Sequence, residues 1–373
     1  MPSLSVFALR TLLEREAHNL GFSAVRVSRP TLQTAHKHLA TWLAAGYQGS
    51  MAWLEQDPEL RTDPSRLWPG TTCILTVSLP YLGEDLTSCT EALNDPTQGV
   101  IAQYALGQDY HRRMRRRLHL LAERMEAQWG PFSWRPFSDS APLLEVEIAA
   151  QGGLGWRGKH TLLLQRQGSY FFLGELLCNL PLPSDPPEED HCGTCQTCLT
   201  VCPTRAIVAP YQLDARLCIA YLTIEHPGPI PELLRPFLGN RIYGCDDCQL
   251  HCPWNRFANT ARGAREFLRR KELENLSLPA LFAWSAEDFL TRLAGSPIRR
   301  IGHERWLRNV AVALGNGPAT PAALAALARQ RNHPAELVRE HVEWAWQRLQ
   351  NGNSPVPVPV GVESVILLRD TDS

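Results

Sequence analysis

Eight of the 11 cysteines fall in two runs, each ending in Cys-Pro. The first is Cys192, Cys195, Cys198 and Cys202-Pro203; the second is Cys218, then Cys245, Cys248 and Cys252-Pro253. The first run has the spacing C-x2-C-x2-C-x3-C-P, in which three thiolates hold one 4Fe-4S cluster and the fourth reaches across to a second. The second run breaks that spacing only at its first ligand, displaced upstream to Cys218. Crossed ligation assigns Cys192, Cys195, Cys198 and Cys252 to cluster 1, and Cys202, Cys218, Cys245 and Cys248 to cluster 2. Two clusters in series make a wire for single electrons, tuned by burial and by hydrogen bonds to the sulfurs.

Paired C-x2-C segments also suit a pair of structural zinc sites. Zinc, however, requires neither the third cysteine two residues on nor the x3-C-P ending. A disulfide framework fits less well, since a chain of 373 residues with no signal peptide and no membrane-spanning apolar run points to the reducing cytoplasm. Cys73, Cys89 and Cys178 remain and read as small buried hydrophobes.

The rest of the chain must position this wire. With 44% hydrophobic and 20% charged residues it has the composition of an ordinary soluble protein of two or three domains, and a net charge of -1 means that any polyanion is held by a local patch. Residues 1–183 read as a mixed α+β domain, with candidate strands over 23–28, 73–79, 100–105 and 133–137. Helical stripes run through Leu32, Ala35, Leu39, Trp42 and Leu43, and through Leu118, Leu121, Met125 and Trp129. A hairpin over 161–165 and 170–173 turns around Gly168. Residues 181–190, rich in proline and acid, read as a linker into a cluster domain over 184–259. Residues 260–352 are helical, with one face through Leu307, Val310, Ala311 and Leu314, a second through Leu324, Leu327 and Ala328, and a third through Val338, Val342, Ala345 and Leu349. Stacked helix pairs of the HEAT type fit this pattern, a plain helical bundle being the alternative. Residues 353–373 read as an extended tail.

One motif misleads. Gly153-Leu154-Gly155-Trp156-Arg157-Gly158 matches the dinucleotide fingerprint by letter, but here a helix (143–151) precedes it and a strand follows, the reverse of the order that fingerprint needs. The glycines instead allow close approach of a bulky ligand or form a tight helix-to-strand loop.

Six segments in order carry a resemblance: Gly107-Gln108-Asp109-Tyr110-His111; Asp139-Ser140-Ala141-Pro142; the glycine run with Lys159-His160; Tyr221-Leu222-Thr223-Ile224-Glu225; Gly239 to Gln249 around Cys245 and Cys248; and Arg308-Asn309-Val310-Ala311-Val312-Ala313-Leu314-Gly315-Asn316. Together they resemble the epoxyqueuosine reductase family over nearly the whole chain except the extreme tail. The resemblance implies a cobalamin-dependent enzyme that removes the epoxide oxygen of epoxyqueuosine in tRNA. It also implies a nitroreductase-like fold for the corrinoid-binding catalytic domain, a ferredoxin-like cluster domain, and a helical part that helps hold tRNA. The corrinoid-ligating pattern Asp-x-His-x-x-Gly begins at Asp109-Tyr110-His111 but has Met114 where glycine belongs, so no protein histidine is expected to ligate cobalt.

Opening an epoxide develops negative charge on oxygen, which calls for a proton donor. Asp139 is the candidate, matching the family's donor; burial against Phe137 and Ala141-Pro142 is expected to raise its pKa, the alternative being a cap on a helix starting near Ala141. Arg61, Tyr104, Asp139, Lys159, His160 and Thr161 are the expected cofactor contacts, His160 standing where many relatives have asparagine. Arg299, Arg300, Arg305 and Arg308 are expected to contact the anticodon stem, whereas the run Arg112-Arg113-Met114-Arg115-Arg116-Arg117 reads as a solvated helix face. A flavodoxin- or ferredoxin-type reductant would feed the clusters, and nothing demands more than a monomer. Two other functions stay open: a reductive dehalogenase-like corrinoid enzyme on a small molecule, and a ferredoxin-type electron carrier.

Overall fold

The computed structural model describes residues 5–32, 34–83, 86–258, 265–274 and 277–352; the expected tail lies outside these. Its centre is an antiparallel sheet of β1 (Ala24–Ser28), β2 (Cys73–Pro80), β3 (Trp134–Phe137) and β4 (Phe171–Cys178), in the order β1-β2-β4-β3. The two middle strands are buried along almost their whole length, so both faces must be covered. Leu75, Val77 and Leu176 pack against α1 (Val6–Asn19) and α2 (Tyr110–Trp129). Ile74 and Leu177 face Ile148 of α3 (Glu145–Gln151). The period of two along β4 puts Glu175 on the face of Leu177, toward α3, where a carboxylate meets an otherwise apolar layer.

Met114 explains its own departure from the corrinoid pattern. It is fully buried in α2 against β4, where a Cβ on Gly174 would stand 2.7 Å from its Cγ, so it is a packing residue that a strand glycine admits.

The strands expected over 23–28, 73–79 and 133–137 form within a residue or two of those limits. The segment 100–105 splits: Val100–Ile101 pairs in parallel with Arg241–Tyr243, and Gln103–Ala105 coils into a 3-10 turn. The hairpin around Gly168 is corrected. Its tight turn exists, with Gln165 and Gly168 exchanging backbone bonds, but Leu163–Leu164 pairs back onto Trp156–Arg157 while Phe171–Cys178 joins the main sheet. The glycine run serves this compact fold directly, because a Cβ on Gly153 or Gly155 would lie about 2 Å from the carbonyl oxygens of Pro186 and Leu164 respectively. The acidic linker is extended and tied down: Asp185 accepts from the Val27 N-H and from Arg10, each at 2.8 Å.

The C-terminal part contains α5 (Gly302–Asn316), α6 (Pro321–Gln330) and α7 (Glu336–Gln350). The α5 and α7 stripes are buried as expected. On α6 the buried face is Ala323, Ala326 and Leu327, with Ala328 exposed, so the expected stripe is rotated. One apolar core joins these helices to Ile101, Ala105, Leu106, Ile242 and Tyr243, and so interlocks all three segments of the chain.

Candidate active site

Cavities open between the sheet unit and the cysteine loops. One of about 460 Å³ is lined by Tyr104, Tyr110, Asp139 and Glu145 together with Cys202, Cys218, Cys245 and Cys248. A smaller one, about 240 Å³, is lined by Cys192, Cys195, Cys198 and Cys252 with Lys159 and Trp254. Each of these two cavities thus has four of the eight cysteines in its wall. Asp139, Glu145 and Thr161 also line a cavity of about 760 Å³ that holds Arg61 and Trp53, and Leu144, Arg157 and Thr161 carry this on into one of about 830 Å³. These three larger spaces share walls as one cleft, with the Cys202 quartet at its inner end.

The loop of the first quartet is pinned from below. Lys159 Nζ donates to the carbonyls of Gly193 (2.6 Å) and Cys195 (2.8 Å), and Asp190 accepts from the Cys192 N-H at 2.8 Å. Trp156 packs edge-on against both His191 and Trp254. Cys218 precedes the short helix α4 (Ile219–Ile224) of the insertion. Ile219, Ala220 and Gly244 of the insertion line the cleft; Tyr221 turns away, its hydroxyl accepting from the Ser50 N-H and sharing a second hydrogen bond with Ser50 Oγ, and Thr223 accepts from the Gly244 N-H at 2.9 Å.

Asp139 sits at the junction of the cavities with φ +46°, a left-handed conformation that aspartate tolerates better than most residues. Helix α3 starts only at Glu145, and Asp139 caps nothing. Its backbone N-H instead donates to Glu145 Oε1 at 2.5 Å. Tyr110 donates to Asp139 Oδ2 at 2.5 Å, and His111 Nε2 stands 3.4 Å from the same oxygen. The expected rise of its pKa is corrected. Burial does push upward, but the contacts of His111 and Tyr110, with the charges of His111 and Arg300, outweigh it and hold the carboxyl below its ordinary value. The side chain is 63% accessible, so cleft water screens the charges and the direct contacts carry the effect.

Proton-holding capacity lies around Asp139 instead. Burial, then the charge of Asp139, raises Glu145 to about 7. Glu175, fully buried, is pushed well up by burial, then by the charge of Glu145 and by the hydrogen bond it shares with that carboxyl. A carboxyl whose pKa rises from 4.5 to about 7 on folding binds more protons in the folded state, so its contribution to stability declines as pH climbs through that window. Glu145→Gln keeps the acceptor for Asp139, and its thermal midpoint is expected to fall less than that of the unsubstituted protein across this window; parallel midpoints in a calorimetric pH series would refute this.

Of the expected cofactor contacts, Tyr104, Asp139, His160 and Thr161 line the Cys202-quartet cavity and Arg61 the adjoining one. Lys159 does not line the cleft; it belongs to the first cysteine loop. His160 touches both cysteine cavities. Burial lowers its pKa to about 4, and its Nδ1 accepts from the Leu162 N-H, so the neutral ring carries its proton on Nε2 and offers a donor there. Thr161 has φ +74°, an outlier for a β-branched residue and a mark of local strain in the cleft wall.

The arginines separate sharply. Arg299 is exposed. Arg300 bonds Asp109 Oδ2 at 2.7 Å, within the Asp139 network. Arg305 donates to the carbonyls of Ile224, Arg300 and Ile301. Arg308 is fully buried and is corrected as a nucleic-acid contact. Tyr110, Glu145 and Glu175 were missed as site residues, although a glutamate inside the apolar run Phe171–Cys178 is a readable signal.

A cleft that joins carboxyl, phenol and imidazole groups to a cysteine quartet defines an iron-sulfur oxidoreductase. A model described as a 4Fe-4S double cluster binding domain matches residues 191–255, and one described as epoxyqueuosine reductase QueG, DUF1730, matches residues 61–140. An epoxyqueuosine reductase of Pseudomonas aeruginosa is 53% identical over 331 residues, 88% of this chain and 91% of that protein. A solved epoxyqueuosine reductase carrying an epoxyqueuosine-modified tRNA-Tyr stem loop superposes with a TM-score of 0.84 at 28% identity, covering 92% of this chain and 91% of the other. So does the Bacillus subtilis enzyme with a catalytic aspartate loop swung out of the active site, at the same score, identity and coverage. The chain belongs to the epoxyqueuosine reductase family.

Proposed function

We propose that this chain reduces epoxyqueuosine to queuosine at the wobble position of tRNA anticodons, the last step of queuosine biosynthesis. The observation that carries the reading is the single cleft with Asp139 in its wall and the Cys202, Cys218, Cys245 and Cys248 quartet at its inner end. Residues 1–183 would be the nitroreductase-like corrinoid-binding domain, 184–259 the ferredoxin-like domain with the two clusters, and 260–352 the HEAT-like domain. Cys195, the exposed cysteine among the eight, puts the first quartet nearer solvent, where a flavodoxin- or ferredoxin-type donor docks. No helix among the described residues is long and apolar enough to cross a membrane, and a cytoplasmic monomer is the reading we adopt.

The cleft walls suit a corrinoid. Arg61 Nε, Arg157 Nε and His160 Nε2 are buried nitrogens without partners on those walls, and buried polar groups rarely stay unpaired. The amide-fringed rim of a corrinoid offers the acceptors they lack. His111 points its nitrogens at Asp109, Asp139 and Arg300, and His160 presents an N-H, so neither offers cobalt a free lone pair. When bound, the cofactor would supply a low-valent metal centre that delivers electrons to the epoxide. The chain's own part is to orient the flipped-out base in the cleft, exclude bulk water, and protonate the oxygen through Asp139.

The test is anaerobic purification with quantitation of iron, sulfide and cobalamin, followed by assay on epoxyqueuosine-bearing tRNA. Eight iron atoms and one cobalamin per chain with conversion to queuosine are expected, by crossed ligation of two four-iron clusters. Stoichiometric cofactors without turnover on that tRNA would refute the substrate.

A further inference from the structure

Loss of the epoxide oxygen as water requires two protons at one oxygen, whereas Asp139 holds at most one and the site keeps it ionised at rest. Something beside it must reload it. We propose that His111 passes protons to Asp139 and that Arg300 gates the transfer, a reading that rests on Asp139 as the donor in the reaction proposed above.

The ring geometry supports a switch. His111 Nδ1 lies 2.7 Å from Asp109 Oδ1, and an ionised carboxylate only accepts, so Nδ1 keeps its proton in both charge states of the ring. Nε2 is therefore the atom that gains and loses a proton. It stands 3.4 Å from Asp139 Oδ2 and 3.1 Å from Arg300 Nη1; Arg300 Nη2, 3.2 Å from Nδ1, donates to Asp109 Oδ2 at 2.7 Å. These neighbours want opposite things: the carboxylate accepts a proton, while the guanidinium only donates. A protonated Nε2 serves Asp139; a bare Nε2 accepts from Arg300. When the Nε2-H bond breaks, its proton goes to Asp139 Oδ2, and from the resulting acid to the substrate oxygen as the first carbon-oxygen bond breaks; once recharged, His111 delivers the second proton by the same path as the second carbon-oxygen bond breaks and water leaves. The two electrons for the whole reduction come from the reductant through the clusters. His111, left neutral, is received by Arg300 and recharged from cleft water.

The supporting frame is rigid. Tyr110 lies between the rings of His111 (4.0 Å) and Phe172 (4.1 Å), while its hydroxyl holds Asp139. Asp109, Asp139 and Arg300 face the imidazole directly, with Tyr110 stacked on it and Glu145, Glu225 and Tyr243 within the surrounding field. Burial opposes charge on the ring, yet its bonds to Asp109 and Asp139 prevail over that and over Arg300, raising its pKa. Arg300, 54% accessible, is the member of the network a phosphate can reach. An RNA phosphate that draws it off removes the charge opposing imidazolium and arms the donor.

The test is single-turnover conversion of an epoxyqueuosine-bearing stem loop by cofactor-loaded enzyme between about pH 5 and 9. The unsubstituted rate is expected to fall as pH rises through the raised pKa of His111. His111→Gln should lower the rate roughly 100-fold and flatten that fall, with iron content and stem-loop affinity unchanged. Arg300→Gln, a substitution at an accessible side chain, should move the imidazole titration of the RNA-free enzyme, followed by NMR, to higher pH, and keeps the test alive if the buried variant does not fold. A wild-type pH profile in His111→Gln, or an unmoved imidazole titration in Arg300→Gln, would overturn the relay while leaving the proposed reaction standing. No conversion by the unsubstituted enzyme at any pH would overturn both.

Discussion

Asp139→Asn is expected to cut the single-turnover rate by roughly 100- to 10,000-fold, the usual worth of a positioned general acid, or about 3 to 5 kcal/mol of barrier. Structure should survive the change. Asparagine also tolerates the left-handed backbone at φ +46°, and its carbonyl oxygen still accepts from Tyr110. What it lacks is a carboxyl oxygen that takes up and releases a proton. Iron, cobalamin and RNA affinity should therefore match the unsubstituted enzyme while conversion fails. Asp139→Ala is a poorer probe, because alanine resists that backbone conformation and leaves Tyr110 unpaired, mixing strain with chemistry. Full activity in Asp139→Asn would remove the residue from the reaction.

The cysteine runs are legible because the spacing within each is local, apart from the distant Cys218; the quartets follow only when crossed ligation draws Cys252 and Cys202 from the opposite run. The environment of Asp139 is not legible. From the neighbouring letters Phe137, Ala141 and Pro142 an apolar wall and a raised pKa follow; the fold instead brings in Arg300, which lies 189 positions from His111 along the chain, and the balance of charge reverses. Asp109-Tyr110-His111 begins a metal-binding pattern that it does not complete, and its connections run to Asp139 and Arg300. The hairpin error has a similar origin: alternation marks a strand but does not name its partner, and Leu163–Leu164 turned back rather than forward. Local packing was read better, as the α5 and α7 stripes attest, because a helix face is set by the nearest residues.

Arg308→Met is expected to cost about 3 to 5 kcal/mol of stability, a penalty of folding rather than of RNA binding. A basic residue beside Arg299, Arg300 and Arg305 reads as part of a surface patch, yet its neighbours Trp306, Leu307, Asn309 and Val310 are all buried. Its guanidinium donates to the carbonyls of Leu222 (2.7 Å), His226 (2.7 Å) and Gly228 (2.6 Å), and Asn309 beside it donates to those of Thr223 (2.8 Å) and Ile242 (2.9 Å). These bonds staple the chain between Cys218 and Cys245 to α5. Methionine refills part of the volume but leaves three carbonyls without their donor, each costing roughly 1 to 3 kcal/mol where water does not replace it. Because Cys218 and Cys245 bracket the loosened segment, iron bound at the cleft quartet should fall along with the urea midpoint. Arg299→Glu, at an exposed position, should behave in the opposite way: unchanged stability, weaker stem-loop binding and a salt dependence reduced by about one phosphate contact. A stable Arg308→Met protein with impaired RNA affinity would put the guanidinium back at the interface, against its burial.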